Sequence, residues 1–343
     1  MARPPAGPVR EASYEAPPNI ALVKYWGVRD PERVLPFNSS LSVTLDRFRS
    51  RTTVRFDPGL AEDRVALNGA SAVGGPYDGV VRFLDRVRAR AGIADRAWVR
   101  SDNNFPTASG LASSASGFAA LAGAASRAAG LALSDRALSQ LARLGSGSAS
   151  RSIFGGFVEW RAGRRPDGRD CYAVPVLPPD HWPELVDLVL FVQGAPVKEV
   201  RSAAAMQWSV ATSPRYRQRV REVPRRLARI RAALRARDAA RLFPAVMEEC
   251  DSFREVCETT RPSLDYLTDT SRAILEEVRA IDRDAGRPVA AYTHDAGAHV
   301  HVFTLRPDLP TVRRRLGRIP GVAGTQLVRP GPGGRPIPRP SPR

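Results

Sequence analysis

The chain has 343 residues, 43% apolar and 25% charged, enough to bury a sizeable core and too long for one typical core. It carries no G-X-Y period, no sustained heptad and no run of 18 uncharged apolar residues, which excludes collagen, coiled-coil and helical membrane-spanning classes. The formal charge of +17 invites a nucleic-acid reading, but the arginines are spread along the chain, so a solvated Arg-rich surface is the expectation.

Residues 1–13 are rich in Pro and Ala and are expected to be loose. From Tyr14 to about Phe56 the pattern is strand-like: NIALVKYWG is a mixed apolar run, and LSVTLDRFRSRTTVRF alternates with period two. DRVALNGA reads as a short strand ending in the Asn68-Gly69 turn. PYDGVVRFLDRVRARAG has helical spacing with Gly92 as its C-cap, and AWVRSDNNFP returns to strand and stops at Pro106. GLASSASGFAALAGAASRAAG is small-residue helix, and SDRALSQLARLG is a second helix with a Ser/Asp cap. Strands follow in IFGGFVEWRAG, CYAVPVL and ELVDLVLFVQGA.

Composition shifts near Pro196, and the chain is then helical and polar to about Arg261. SRAILEEVRAIDRD is amphipathic helix, PVAAYTHDAG and AHVHVFTLRP are strands, PDLPTVRRRLGRI is helix and TQLVRP is a last strand. GPGGRPIPRPSPR has the composition of a disordered tail. The expected organisation is α+β: an N-terminal lobe over 14–195, a C-terminal lobe over 196–332, and a disordered tail over 333–343, with the site in the cleft between the lobes. The N-terminus has no apolar core of a signal peptide. Three cysteines, Cys171, Cys250 and Cys257, suit a reducing cytoplasm with no disulfide framework.

Four segments carry chemistry. Pro106–Ala115 (PTASGLASSA) joins a strand end to a helix start, where small residues let backbone N–H groups approach a polyphosphate and Ser113 and Ser114 add hydroxyls. It lacks the lysine of a Walker A loop. Gly145–Arg151 (GSGSASR) offers three hydroxyls and one guanidinium, a cradle for carboxylate or phosphate. Asn19–Asp30, followed by Pro36–Ser40, places Asn, Lys, Tyr, Trp and Arg where a plain core strand would carry Val and Ile. Thr293–Gly297 (THDAG) puts a carboxylate at a strand end. Two scarcities sharpen these signals. Among 52 Lys and Arg residues only Lys24 and Lys198 are lysine, so a compact ammonium is needed where lysine survives. Four of the five asparagines, Asn19, Asn38, Asn103 and Asn104, fall in or beside these segments, Asn68 being the fifth.

Taken together, NIALVKYWG…RD…LP…NSSLSVTL, DR…LNG at 63–69, NNFPTASGLASSASG, GSGSASRSIFGGFVEW and DAG at 295–297 resemble the mevalonate diphosphate decarboxylases. These are a branch of the small-molecule kinase superfamily of galactokinase, homoserine kinase and mevalonate kinase. The resemblance runs in order over about residues 14–310. It implies a two-lobe α+β fold and ATP-dependent decarboxylation of mevalonate 5-diphosphate to isopentenyl diphosphate, with Mg²⁺ carried by ATP and no other metal. Carried over by position, Asp295 matches the catalytic aspartate, Arg151 the arginine that holds the substrate carboxylate and Lys24 the active-site lysine. Tyr25, Trp26, Gly27, Arg64, Ser146, Gly147, Ser148, Ala149, Ser150, Ser202 and Met206 match substrate-side positions. Asn104, Pro106, Ser109, Gly110, Leu111, Ala112, Ser113 and Ser114 match the ATP side. The implied partners are the phosphorylated mevalonate and a second copy of the chain as a homodimer, with neither nucleic acid nor membrane, in the cytoplasm.

Three positions depart from the family pattern. Val28 stands where the family has a lysine for the terminal phosphates, with Arg29 beside it as a candidate replacement. The family's Asp-Ala-Gly-Pro-Asn is Asp-Ala-Gly-Ala-His at 295–299, and 202–206 reads Ser-Ala-Ala-Ala-Met, with few hydrogen-bonding groups. The alternatives left open are decarboxylation of mevalonate 5-phosphate to isopentenyl phosphate, and a mevalonate kinase-type transfer that stops at the phosphate ester. His299 and His301 share a strand face, but no cysteine or acid at ligand spacing accompanies them.

Overall fold

The structure is a computed structural model that describes residues 10–105, 113–195 and 200–338. The N-terminal half runs β1 (Arg10–Ala16), β2 (Asn19–Val23), β3 (Val28–Asp30), β4 (Leu35–Pro36), β5 (Ser40–Thr44), β6 (Ser50–Asp57), β7 (Arg64–Leu67) and β8 (Ala70–Ser71). Next come α1 (Gly74–Ala91), β9 (Arg96–Asn103), α2 (Ser113–Ala128), α3 (Asp135–Arg143), a 3-10 turn over Gly147–Ser150, β10 (Phe157–Trp160) and β11 (Ala173–Leu177). The remainder is β12 (Leu185–Val192), α4 (Ser202–Thr212), α5 (Tyr216–Ala236), α6 (Ala239–Thr259), α7 (Asp269–Ala285), β13 (Ala290–Thr293), β14 (Val300–Leu305), α8 (Leu309–Leu316), β15 (Val322–Val328) and β16 (Arg335–Ile337).

Local chemistry explains most of these elements. In β6 the even alternation of buried and more exposed residues sets one face on the core. In α1, Val80, Phe83, Leu84 and Val87 recur at helical spacing and are buried, and Gly92 ends the helix in the left-handed region at φ 65°. Ser134 caps α3 by accepting from the Ala137 N–H. The small side chains of α2 let it lie close against β1 and β6.

Three sheets organise the molecule. Six strands in the order β16-β1-β6-β9-β7-β8 pack on α1, α2 and α3; four form β11-β10-β5-β2; four form β13-β14-β12-β15. Between the last two sheets lies a core in which Ile20, Leu22 and Val43 meet Leu227 and Ile230 of α5, Phe243 and Val246 of α6, and Val189 and Phe303. This core brings the end of β2 against α6 and β13, and thereby positions the site.

Three expectations are corrected. The stretch 1–13, expected to be loose, is strand from Arg10 onward, where β1 pairs with β6, and residues 1–9 lie outside the described residues. The strand at 185–192 belongs to the C-terminal sheet, where it pairs with β14 and β15, so it does not fall with the first lobe. A local apolar run specifies a strand but not its sheet. Finally, the tail is ordered through 335–337. β1 offers it a free ladder edge, where its prolines are tolerated, and Glu15 accepts from Arg335 Nε at 2.7 Å and from Arg51 Nε at 3.1 Å.

Candidate active site

β2 is buried along its whole length, and the chain leaves the sheet at Lys24, which is only 2% exposed. A lysine this deep requires an anion. Its Nζ donates to Asp295 Oδ1 and to the Ala21 carbonyl, both at 2.8 Å. Asp295 lies two residues beyond β13, just before a bend over 296–298, with its side chain 26% exposed toward solvent. Burial pushes its pKa up, but the Lys24 ammonium, with a smaller contribution from Arg151, brings the balance below the usual carboxylate value. Asp295 is therefore an anion at neutral pH.

Arg151 closes the 3-10 turn and is 2% exposed. Its Nε donates to Asn19 Oδ1 at 3.0 Å and Ser42 Oγ at 2.9 Å, and its Nη1 donates to Ser40 Oγ at 2.6 Å. Burial lowers its pKa to about 10, against the pull of Asp295 and Tyr25, so it stays charged. Among the described residues no carboxylate lies within ion-pair distance of it. A buried guanidinium held by neutral acceptors is a receptor for an incoming anion.

The Gly147–Ser150 turn packs tightly beside it. A Cβ on Gly147 would stand 2.7 Å from both Tyr25 and Trp160, whose rings meet edge-on at 4.7 Å. Ser146 Oγ lies 3.2 Å from Ser148 Oγ and 3.4 Å from Ser114 Oγ, linking this turn to the start of α2. Ala149 is fully buried, and Ser150 donates back to the Gly147 carbonyl at 2.7 Å. Both shape the turn, and Ser146 and Ser148 present its more accessible hydroxyls.

Trp26 is an anchor. Its Nε1 donates to Ser209 Oγ at 2.9 Å, and its ring packs against Phe253 and Tyr266. Gly27 has φ 94°, and a Cβ there would lie 1.9 Å from the Tyr216 hydroxyl, which donates to the Trp26 carbonyl at 3.0 Å. Met206 sits in the same apolar cluster, and half-buried Ser202 opens α4. Arg64 is exposed on β7, level with Trp98 on β9. No hydrogen bond or ion pair among the described residues joins it to the Lys24 cluster.

On the ATP side, Pro106, Ser109, Gly110, Leu111 and Ala112 lie outside the described residues. Asn104 is occupied structurally: its Nδ2 donates to the Arg47 carbonyl at 3.0 Å and its Oδ1 accepts from the Arg49 N–H at 2.7 Å. Ser113 and exposed Ser114 open α2, which has no acid in its first turn, and the buried Ser113 Oγ has no hydrogen-bond partner. A helix start with no acid in its first turn and an unsatisfied hydroxyl fits a polyphosphate and its magnesium ion.

The structure also brings in residues that were not singled out as ligands. Asn19 is shared between Arg151, Ser148 and Ser152, with Nδ2 donating to Ser152 Oγ at 2.8 Å; the scarcity of asparagine was its signal. Ser40 and Ser42 alternate on β5 to face Arg151. Arg29 turns away from a replacement role, donating to the carbonyls of Pro36, Ala162 and Gly163 at 3.3, 3.4 and 3.3 Å. His299 Nδ1 accepts from the Val192 N–H at 3.1 Å, and His301 Nδ1 lies 2.6 Å from Asp187 Oδ2; both imidazoles are engaged in strand packing. Two surface cavities, about 730 Å³ along α5 and α6 and about 480 Å³ beside Phe37 and Tyr172, are lined by neither Asp295 nor Arg151. The chemistry, not cavity size, locates the site.

Comparison with known proteins converges on one family. A model of the diphosphomevalonate decarboxylase-like N-terminal domain matches residues 16–173, and one of the mevalonate 5-diphosphate decarboxylase C-terminal domain matches 188–325. Diphosphomevalonate decarboxylase of Bos taurus is 44% identical over 314 residues, covering 87% of this chain and 78% of the relative. The mevalonate diphosphate decarboxylase structure from Staphylococcus aureus superposes with TM-score 0.89 at 34% identity, covering 96% of this chain and 99% of the other. A structure of MDDEF with MVAPP, AMPPCP and magnesium superposes with TM-score 0.89 at 36% identity, covering 96% and 99%. With both domain models matched in order across a fold that pairs Lys24 with Asp295 and brings the Arg151 charge to bear on the same carboxylate, the chain belongs to the diphosphomevalonate decarboxylase family.

Proposed function

We propose that the chain uses ATP to decarboxylate mevalonate 5-diphosphate, giving isopentenyl diphosphate, ADP, phosphate and carbon dioxide. The observation that carries this reading is Arg151, a buried cation with no carboxylate partner among the described residues, set near an ionised Asp295 paired to Lys24. A kinase needs only the aspartate and the phosphate site. A decarboxylase must also hold a carboxylate close to the hydroxyl that is phosphorylated.

Arg151 holds the substrate carboxylate through the part of its guanidinium not anchored to Asn19, Ser42 and Ser40. Asp295 orients the tertiary 3-hydroxyl and accepts its proton as the bond to phosphorus forms. Lys24 keeps Asp295 ionised before transfer. Once the ester exists, the carbon–oxygen bond to phosphate breaks, the bond to the carboxylate carbon breaks, and that electron pair becomes the double bond. Ser113, Ser114 and the start of α2 hold the ATP phosphates and their magnesium ion, which supplies positive charge to the transferring group. Ser146, Ser148 and Tyr25 face the substrate.

The 5-phosphate alternative keeps one observation in its favour: Val28 carries no charge and Arg29 is occupied elsewhere. Three buried cysteines that form no disulfide support a cytoplasmic setting, and the family resemblance supports a homodimer, which the mass in solution tests. Among the described residues no helix is long and apolar enough to cross a membrane. The function itself is tested by measuring ADP and carbon dioxide together. Equal amounts from mevalonate 5-diphosphate support it, and ADP without carbon dioxide contradicts it.

A further inference from the structure

Lys24 stands one residue beyond β2, where no strand partner fixes its peptide. Two side chains from the helical layer take that place. The Lys24 N–H donates to Glu249 Oε1 on α6 at 3.0 Å, and the Lys24 carbonyl accepts from Arg219 Nη2 on α5 at 3.3 Å. Arg219 Nη2 also donates to the same Glu249 oxygen. Asn38 Nδ2 adds a second donor to the carbonyl at 3.0 Å. Glu249 is 0% exposed and Arg219 2%. A sealed ion pair thus grips both polar groups of the residue whose side chain reaches Asp295.

Stability alone explains this arrangement poorly. Buried ion pairs are often matched or improved upon by apolar residues of similar volume. Here, moreover, Arg219 Nε and Nη1 are buried with no hydrogen-bond partner, which is a cost. What the pair does supply is orientation. A peptide at a strand end is free to turn, and a turn there would swing the ammonium off its 2.8 Å contact with Asp295.

We infer that Glu249 and Arg219 are positioning residues for the decarboxylation, holding the Lys24 peptide so that its ammonium stays on Asp295. The inference rests on the roles proposed above for Lys24 and Asp295. Asp295 is faced by Lys24, Arg151, His294 and His301. Of these four, only Lys24 is hydrogen-bonded to Glu249 or Arg219. Loosening the pair therefore acts on Asp295 through Lys24.

The test uses the full chain with ATP, magnesium and mevalonate 5-diphosphate. The double variant Arg219→Met with Glu249→Gln removes both charges together, and Arg226, whose Nη1 also lies 3.5 Å from Glu249 Oε2, keeps Glu222 and Glu248 as partners. Arg219→Lys is the milder companion, keeping a charge opposite Glu249 while losing the planar fork that spans to the Lys24 carbonyl. The double variant should lower kcat by about tenfold or more, with the KM for ATP within about twofold. The acid limb of its kcat profile should move to higher pH, because Asp295 loses the charge that keeps it ionised. Arg219→Lys should lose about threefold and move the limb in the same direction, and it decides the matter if the double variant is insoluble. In a Lys24→Met background, adding the double variant should cost no more than about twofold, since the route through Lys24 is already cut. The inference is overturned if kcat and the acid limb both stay at wild type, or if the full loss recurs on top of Lys24→Met. Should Lys24→Met alone retain wild-type turnover, the reading of Lys24 fails, and the inference falls with it.

Discussion

Replacing Arg151 by lysine keeps the charge and removes the geometry. The guanidinium spends its N–H groups on Asn19, Ser42 and Ser40 at 3.0, 2.9 and 2.6 Å, and the remainder of the fork stays available to a carboxylate. A lysine ammonium has three donors on one nitrogen at the end of a flexible stem. It can satisfy those buried acceptors or meet the substrate, and the two demands lie in different directions. Losing one charge-assisted bond to the substrate costs about 1.5–3 kcal/mol, and each 1.4 kcal/mol is tenfold, so kcat/KM for mevalonate 5-diphosphate should fall by about ten- to a hundredfold. A coupled assay of ADP release, with carbon dioxide trapped in parallel, reads the loss, and a thermal melt confirms that the fold survives. The KM for ATP should stay within about twofold. A kcat/KM within about threefold of wild type would refute the anchored-receptor picture. An equal loss of ATP affinity would place Arg151 on the nucleotide side instead.

Other outcomes follow from the same geometry. Asp295→Asn keeps the shape, removes the charge and should lower turnover by about 10³-fold or more while ATP still binds; turnover within a few-fold of wild type means another group serves the hydroxyl. Val28→Lys adds a surface cation worth up to about 1 kcal/mol, and should raise the diphosphate-over-monophosphate ratio of kcat/KM by about fivefold; an unchanged ratio shows that this position does not face the phosphate chain. Burial first, then Lys24 for His294 and His301 for His299, pushes both imidazoles down to about 4. The unfolded chain, with imidazoles near about 6.5, therefore takes up protons first as pH falls, and stability present above about pH 6.5 drains between about 6.5 and 4. His299→Asn keeps an acceptor for the Val192 N–H, bonded at 3.1 Å, and removes one titration. Melts at pH 7 and pH 5 should show a smaller fall in Tm than wild type, and an equal fall assigns the acid sensitivity elsewhere.

The elements with strong period, such as β6, α1 and α7, were legible because each buries one face and the spacing records it. Lys24 was legible for a different reason: in a chain that uses arginine almost everywhere, a surviving lysine marks a place where a compact charge is required. Asn19 carried the same kind of signal through scarcity. Glu249 and Arg219 carried none. In MEEC and RYRQRV they look like any surface charges on Arg-rich helices, and only the packing of α5 and α6 over the end of β2 makes them buried. The tail misled for a related reason. Its Pro and Gly content matches that of disordered segments, and the free edge of β1 and the Glu15 carboxylate that order it lie more than 300 residues away in sequence.

The central claim is that this site joins phosphoryl transfer to loss of carbon dioxide on a diphosphate substrate. Carbon dioxide and ADP released from ATP with mevalonate, its 5-phosphate and its 5-diphosphate, measured side by side on the wild-type chain, test it most directly. Arg151 beside Lys24 and Asp295 predicts equal yields of the two products, with kcat/KM highest for the diphosphate and no carbon dioxide from mevalonate. ADP formed without matching carbon dioxide, or a preference of more than about tenfold for the monophosphate, would contradict it.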